Sequence, residues 1–118
     1  MSEGKETIRF EMRRKTEQKA VVERSKFHIP GFPLVAETSV SRFLPSENNP
    51  LGLKYRLQLY HENTGETLVR YDIHHGKNHH RHFLGQENAY EWRGVEELFE
   101  DFRRDIEKIQ VVIREGEL

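Results

Sequence analysis

A stripe of apolar residues near the C-terminal end of the chain limits the folds that are open to it. The stripe recurs at steps of three and four, and its members are Val95, Leu98, Phe99, Phe102, Ile106, Ile109 and Ile113. That spacing is typical of an amphipathic α-helix. Acidic residues crowd the predicted first turn, where they complement the helix dipole, and Gly94 lies at the predicted cap. Such a helix spans roughly 28 Å and must bury its stripe against another layer.

Short segments before this helix have the pattern of β-strands. The clearest one alternates Tyr55, Leu57 and Leu59 with polar side chains, so that these three share one face. Gly65 and Gly76 predict two turns, because glycine tolerates a positive φ. The predicted strands are residues 19–27, 34–44, 54–60, 67–73, 79–84 and a short one at 90–92, with loops at 45–50 and 85–89.

A run of strands followed by one helix predicts an α+β domain. We expect an antiparallel sheet of four or five strands with the long C-terminal helix packed on one face. The chain has 118 residues, the size of one domain. We expect that domain at residues 19–113, after a charged N-terminal arm at 1–18 that is mobile or weakly docked, and before a short tail at 114–118.

The composition excludes several classes of function. There are no cysteines, which excludes disulfides, a thiol nucleophile and any cysteine-based zinc site. The net charge is −1 at pH 7, so any contact with nucleic acid must come from a local basic patch. No apolar run approaches the roughly 18 residues of a membrane span, and the first residues lack a hydrophobic signal region. We therefore expect a cytoplasmic protein without membrane insertion.

Histidines are concentrated in residues 71–82, which hold five of the seven in the chain. Histidine has the side-chain pKa nearest neutral pH, so this cluster could transfer protons, bind a metal or hold a phosphate. His80 and His82 stand two apart on a predicted strand and so face the same side, about 6–7 Å apart, while Arg81 faces the other side unless the strand is bulged. The pair could act as base and acid on a ribose 2′-hydroxyl and a leaving oxygen, without a metal.

Nearby residues could serve the same chemistry by binding the substrate. Lys77 or Arg56 could neutralise the phosphate, and Lys54 lies on the same predicted strand as Arg56. Tyr55 and Tyr71 flank the cluster, which leaves stacking on a base open. Dense histidine explains proton transfer but does not select a substrate.

Two other interpretations of the cluster stay open at this point. A metal site could use His80 and His82 with Asp72 or His75, but no established metal-ligand spacing is present and the nearby cations oppose it. The segment could also be a solvated turn, or a module that grips phosphate or a protein without catalysis. His74, His75 and His79 have the pattern of loop residues rather than catalysts.

The order of motifs resembles a known family. The motifs are Lys54-Tyr55-Arg56-Leu57, Arg70-Tyr71-Asp72, Gly76-Lys77, His80-Arg81-His82, Glu87, Tyr90 and a helix with Leu98, Asp101-Phe102 and Asp105. Over residues 19–109 they are similar to the TumE-like toxins of prokaryotic toxin–antitoxin systems. The resemblance implies a small intracellular toxin with an α+β fold that acts on RNA or translation, and a cognate DNA-binding antitoxin encoded beside it. A homodimer stays open.

The resemblance also selects candidate site residues. We predict a metal-independent ribonuclease without a cofactor, with His80 and His82 as acid and base. Lys77 and Arg81 would bind the phosphate, and Asp72 would orient or charge-balance an imidazole.

The sequence also departs from the family pattern. Ile73 stands where the family often has Asn, and Asn78 where it often has Gly, so the turn between them is expected to differ in shape. The arm at residues 1–18 is expected to lie outside the match.

Overall fold

The computed structural model describes residues 5–9, 21–74 and 76–118, which form seven strands followed by one helix. The elements in chain order are β1 (Lys5–Arg9), β2 (Val21–His28), β3 (Leu34–Arg42), β4 (Leu53–His61), β5 (Thr67–His74), β6 (Asn78–Phe83), β7 (Gln86–Ala89) and α1 (Val95–Arg114). His75 and most of the predicted N-terminal arm lie outside the described residues. No helix in the described ranges is both long enough and apolar enough to cross a membrane.

All strands belong to one antiparallel sheet in which each strand pairs with its neighbours in the chain. The predicted α+β class is confirmed, but the prediction of four or five strands is wrong. Strands β2 to β7 alone number six, and β1, from the segment expected to be an arm, pairs with β2 as a seventh.

The second difference concerns the end of the sheet. Strand β7 lies in residues 86–89, predicted to be a loop, whereas the predicted strand at 90–92 is an irregular connection to the helix. The reason is that β7 is exposed along its whole length, so no apolar alternation marks it in the sequence.

The core lies between one face of the sheet and the helix. Tyr55, Leu57 and Leu59 are buried on β4, as the alternation predicted. The apolar stripe of α1 supplies the other layer, and its buried members are Leu98, Phe102, Ile106 and Ile109. The helix prediction is confirmed, with Gly94 as the residue before its first turn. The sheet therefore has a helix face, on which α1 packs, and an open face on the other side.

The turn between β5 and β6 packs against the loop before β4. Gly76 has φ +71°, and a Cβ atom on it would lie 2.4 Å from the carbonyl oxygen of Asn48 and 2.8 Å from Cα of Asn49. Gly65, in the preceding turn, has φ +77° but open space around it. The two glycines share a backbone conformation and differ in the room beside them.

Replacing Gly76 with alanine should therefore destabilise the protein more than replacing Gly65. Both substitutions pay about 1–2 kcal/mol for a left-handed residue with a Cβ. Gly76→Ala also forces backbone apart, which adds about 1–3 kcal/mol of overpacking. Urea unfolding midpoints of the two variants measure the difference, and equal losses would show that the contact with the loop is not tight.

Candidate functional site

The register between β5 and β6 separates the candidate residues onto the two faces of the sheet. His80 is opposite Asp72 and His82 is opposite Arg70, whereas Arg81 is opposite Tyr71. Because side chains alternate along a strand, the first two pairs share one face and the third pair lies on the other. The first two pairs lie on the open face, since Tyr71 and Arg81 contact the helix.

On the open face, both histidines of β6 have close polar neighbours. Nδ1 of His80 lies 2.9 Å from Oε2 of Glu87, a residue of β7. Nη2 of Arg70 lies 3.0 Å from Nε2 of His82. Because arginine has only donor groups, Arg70 donates this hydrogen bond and Nε2 of His82 accepts it. The predicted placement of His80 and His82 on one face is confirmed, and each side chain remains about one fifth to one quarter exposed.

Asp72 is the buried charge at the centre of this face. Its Oδ2 accepts a hydrogen bond from Nε of Arg70 over 3.2 Å and lies 3.7 Å from Nε2 of His74. The ring of His74 in turn lies 4.7 Å from the ring of His80, between centroids. Oδ1 of Asp72 is buried and has no hydrogen-bond partner among the described residues. His74, predicted to be a loop residue, therefore belongs to a polar cluster on the open face. We call it the open-face cluster, and its other members are Arg70, Asp72, His80, His82 and Glu87.

Two further basic candidates flank Asp72. Lys54 and Arg56 line a pocket of about 480 Å³ together with Asp72 and His74. Lys77 lies elsewhere, in the turn at the end of the hairpin, where it lines a second pocket beside the loop of residues 48–49. It precedes His80 by three residues, about 10 Å along an extended chain. The structure brings Lys54 and Arg56 to Asp72, and holds Lys77 at the edge.

Arg81 and Tyr71 are hydrogen-bonded to the helix instead. Asp105, only 2% exposed, accepts hydrogen bonds from Nε and Nη2 of Arg81 over 2.8 Å each and from the hydroxyl of Tyr71 over 2.6 Å. Burial and the bond to Asp105 raise the pKa of Tyr71 above its ordinary value. The bond to Asp105 likewise raises the pKa of Arg81. The structure does not bring these two candidates together with His80 and His82.

His79 also faces the helix side and is part of an aromatic stack. Its ring packs against those of Tyr55 and Trp92, with centroids 5.8 Å and 4.8 Å away, and the rings of Tyr55 and Trp92 also contact each other, with centroids 5.5 Å apart. The hydroxyl of Tyr55 lies 2.8 Å from Nδ1 of His79, and a neutral ring can accept a hydrogen bond from that hydroxyl. Burial lowers the pKa of His79, and the neighbouring His80 lowers it further.

Tyr90, the residue after β7, joins the edge of the sheet to the helix. Its hydroxyl donates to Oδ2 of Asp101 over 2.5 Å, and Arg93 donates to the same oxygen. Burial acts to raise the pKa of Asp101, but the bonds from Tyr90 and Arg93 outweigh it, so that pKa is lowered overall.

Among the described residues, no group of three or more histidines and carboxylates is arranged to hold a metal ion. His75, one of the alternative predicted ligands, lies outside those residues.

Two residues of the open-face cluster were missed by sequence reasoning. Arg70 lies two residues before Asp72 on β5, so the period of two places both side chains on one face. The sequence could therefore have placed Arg70 beside His82, as Asp72 lies beside His80. Glu87 was assigned to a loop. The pair Leu84-Gly85 was the available signal, because a two-residue turn there makes Glu87 the partner of His82 in the next strand.

A family model described as Toxin TumE matches residues 3–110 of the chain. The resemblance drawn from the motifs is therefore confirmed. The match also includes most of the segment at residues 1–18, which was expected to lie outside it. No curated protein and no solved structure matches the chain significantly.

Removing the carboxylate of Asp105 should strongly destabilise the fold. Asp105→Ala leaves the guanidinium of Arg81 and the hydroxyl of Tyr71 without their buried acceptor, a loss of about 3 kcal/mol or more. Glu107→Ala is the matched control on the same helix, because its exposed pair with Arg103 should contribute less than about 1 kcal/mol. Urea unfolding of both variants tests this, and similar losses would contradict the central role of Asp105.

The low pKa of His79 should make the protein less stable in acid. Because the folded pKa lies below the unfolded value of about 6.5, the unfolded chain binds the proton first. Stability is therefore full above that value and is lost as the pH falls from it toward the folded pKa.

His79→Phe keeps an aromatic ring in the stack and removes this titration. We expect its unfolding midpoint to fall less than that of the wild type between about pH 8 and about pH 5. His61→Phe serves as the control for replacing a histidine outside the stack. Equal pH slopes for the wild type and His79→Phe would show that His79 is not a source of acid sensitivity.

Proposed function

The chain belongs to the TumE toxin family, and we propose that it acts on RNA as a metal-independent ribonuclease through the open face of its sheet. The family suggests the toxin of a toxin–antitoxin pair, which implies an antitoxin partner. The observation that carries the nuclease proposal is the position of His80. Its Nδ1 is 2.9 Å from Glu87, and its ring is 4.7 Å from that of His74, which has its own carboxylate neighbour.

His80 is our candidate for the general base. A carboxylate that accepts a hydrogen bond from Nδ1–H favours the tautomer with the lone pair on Nε2 and orients the ring. Glu87 is at the right distance for that task. His80 is also partly exposed, so a substrate can reach it on this face. Glu87 is thus a positioning residue in this proposal, acting through His80.

The general acid needs a second imidazole that can start in the protonated form. The sequence suggested that His80 and His82 share the acid and base roles, but Nε2 of His82 accepts a hydrogen bond from Arg70 and so has no proton to give in that arrangement. We therefore give His82 the role of holding Arg70 and propose His74 as the acid. Its Nε2 lies 3.7 Å from Oδ2 of Asp72, and its ring lies 4.7 Å from that of His80, the proposed base.

The basic side chains of the open face would bind the phosphate. Arg56 and Lys54 line the pocket beside Asp72, and Arg70 is held between Asp72 and His82. Fixed cations of this kind stabilise the charge that develops on the phosphate in the transition state. Lys77 remains a candidate for the backbone phosphate of a neighbouring nucleotide, whereas Arg81 and Tyr71 have no part in this proposal.

The proposed reaction is an internal transfer. His80 takes the proton of the ribose 2′-hydroxyl while the 2′-oxygen attacks phosphorus. The bond from phosphorus to the 5′-oxygen breaks, and His74 gives its proton to that oxygen. The products are a 2′,3′-cyclic phosphate and a 5′-hydroxyl, and no metal or cofactor enters the balance.

The test is cleavage of a mixed RNA pool by the purified protein in excess EDTA. His80→Ala should slow cleavage by about 10²–10⁴-fold, with RNA affinity, measured by fluorescence anisotropy, changed little. His74→Ala should have an effect of similar size if His74 is the acid. Glu87→Gln should retain more activity than His80→Ala, because it removes the orientation and not the base. His28→Ala is the control, because His28 lies on β2, four strands away from β6 in the same sheet.

Other outcomes would replace parts of the proposal. A large loss in His82→Ala but not in His74→Ala would return the acid role to His82. Cleavage that stops in EDTA and returns with Mn²⁺ would indicate a metal-dependent hydrolase. Binding of RNA without cleavage, lost in Arg56→Ala, would indicate a binding module.

A further inference from the structure

One helix is too narrow to cover the sheet. Seven strands about 4.8 Å apart span roughly 29 Å, whereas a helix with its side chains is about 10–12 Å across. Helix α1 packs mainly over β5. The helix face of β2 and β3 is therefore left beside α1 as the floor and wall of a groove.

The groove is lined by apolar side chains from both layers. Its volume is about 960 Å³, and Ile29, Phe102 and Ile106 are buried at its base. Phe27 on β2 and Phe99 on α1 stand at its two sides, 46% and 37% exposed. Two large aromatic side chains left partly exposed in one concave surface are typical of an interaction site.

The charges around the groove have one dominant sign. Four glutamates and one arginine line it, which leaves a net of three negative charges; they are Glu96, Glu97, Glu100, Glu107 and Arg103. Arg103 is already bonded to Glu107 and Glu100. An acidic rim attracts a basic partner and repels RNA phosphates.

We propose that this groove binds an amphipathic helix of the antitoxin, with its apolar side on Phe27 and Phe99 and its Lys and Arg side chains against the glutamates. The identity of the partner rests on the toxin–antitoxin role proposed above. A helix suits the shape, because the lining residues of α1 run over residues 95–110, about 22 Å, and neighbouring helices pack 8–10 Å apart.

The charge also argues against a second copy of this chain as the occupant. In a two-fold dimer the same surface meets itself, so the acidic rim would face another acidic rim. The groove lies on the helix face, on the other side of the sheet from His80. Antitoxin binding in the groove and RNA cleavage on the open face should therefore be separable by mutation.

The test is isothermal titration calorimetry of the full chain with the antitoxin encoded beside its gene. Phe99→Ser removes an apolar anchor, and Glu96→Lys reverses a rim charge. Each substitution should weaken binding and raise the Kd at least about tenfold. Val111→Ser, which changes an exposed apolar residue of the same helix outside the groove, and Glu91→Lys, before the helix, are the matched controls and should leave Kd unchanged. Thermal unfolding confirms that all four variants are folded.

Each of the other outcomes overturns the proposal. These are wild-type chain that does not bind this antitoxin, groove variants that bind like the wild type, and controls that weaken binding as much as the groove variants. A wild-type dimer that the groove variants convert to monomers in sedimentation would assign the groove to a second copy.

RNA cleavage by the groove variants without antitoxin should equal that of the wild type. If the wild type cleaves no RNA, the nuclease proposal fails while the affinities still decide the docking proposal.

Discussion

The contact on which the rest of the structure depends is the one between Arg81 on β6 and Asp105 on α1. Two hydrogen bonds of 2.8 Å and a third from Tyr71 converge on a carboxylate that is almost fully buried. A buried charge without its partners is costly, so this arrangement is tolerated only with the helix in one position and register. The contact determines where α1 lies, and therefore which part of the sheet it covers.

Its second consequence concerns the motif His80-Arg81-His82. Because neighbouring side chains on a strand point to opposite faces, holding Arg81 under the helix holds both histidines on the open face. One short motif therefore has two separate tasks. Its arginine stabilises the packing of the two layers, and its histidines join Asp72, Arg70 and Glu87 in a polar cluster that the helix does not cover.

The position of α1 also explains why the two faces of the molecule differ in chemistry. The open face carries the histidines together with Arg56 and Lys54, which suits an anionic substrate. The helix face has an apolar groove with a glutamate-rich rim, which suits a basic protein segment. The toxin family implies an antitoxin partner in general, and we propose the groove as the surface for the antitoxin and the open face as the surface for RNA.

The sequence by itself determined the helix, the central strands and the shared face of His80 and His82, because periods of 3.6 and 2 are properties of local backbone geometry. It did not reveal β1, whose sequence is rich in charged residues, or β7, which is exposed, and so it missed Glu87. Only the tertiary structure decided the contacts of Arg81, Tyr71, His74 and His79. Their hydrogen bonds and ring contacts join residues from different strands and the helix, and no local sequence pattern contains that pairing.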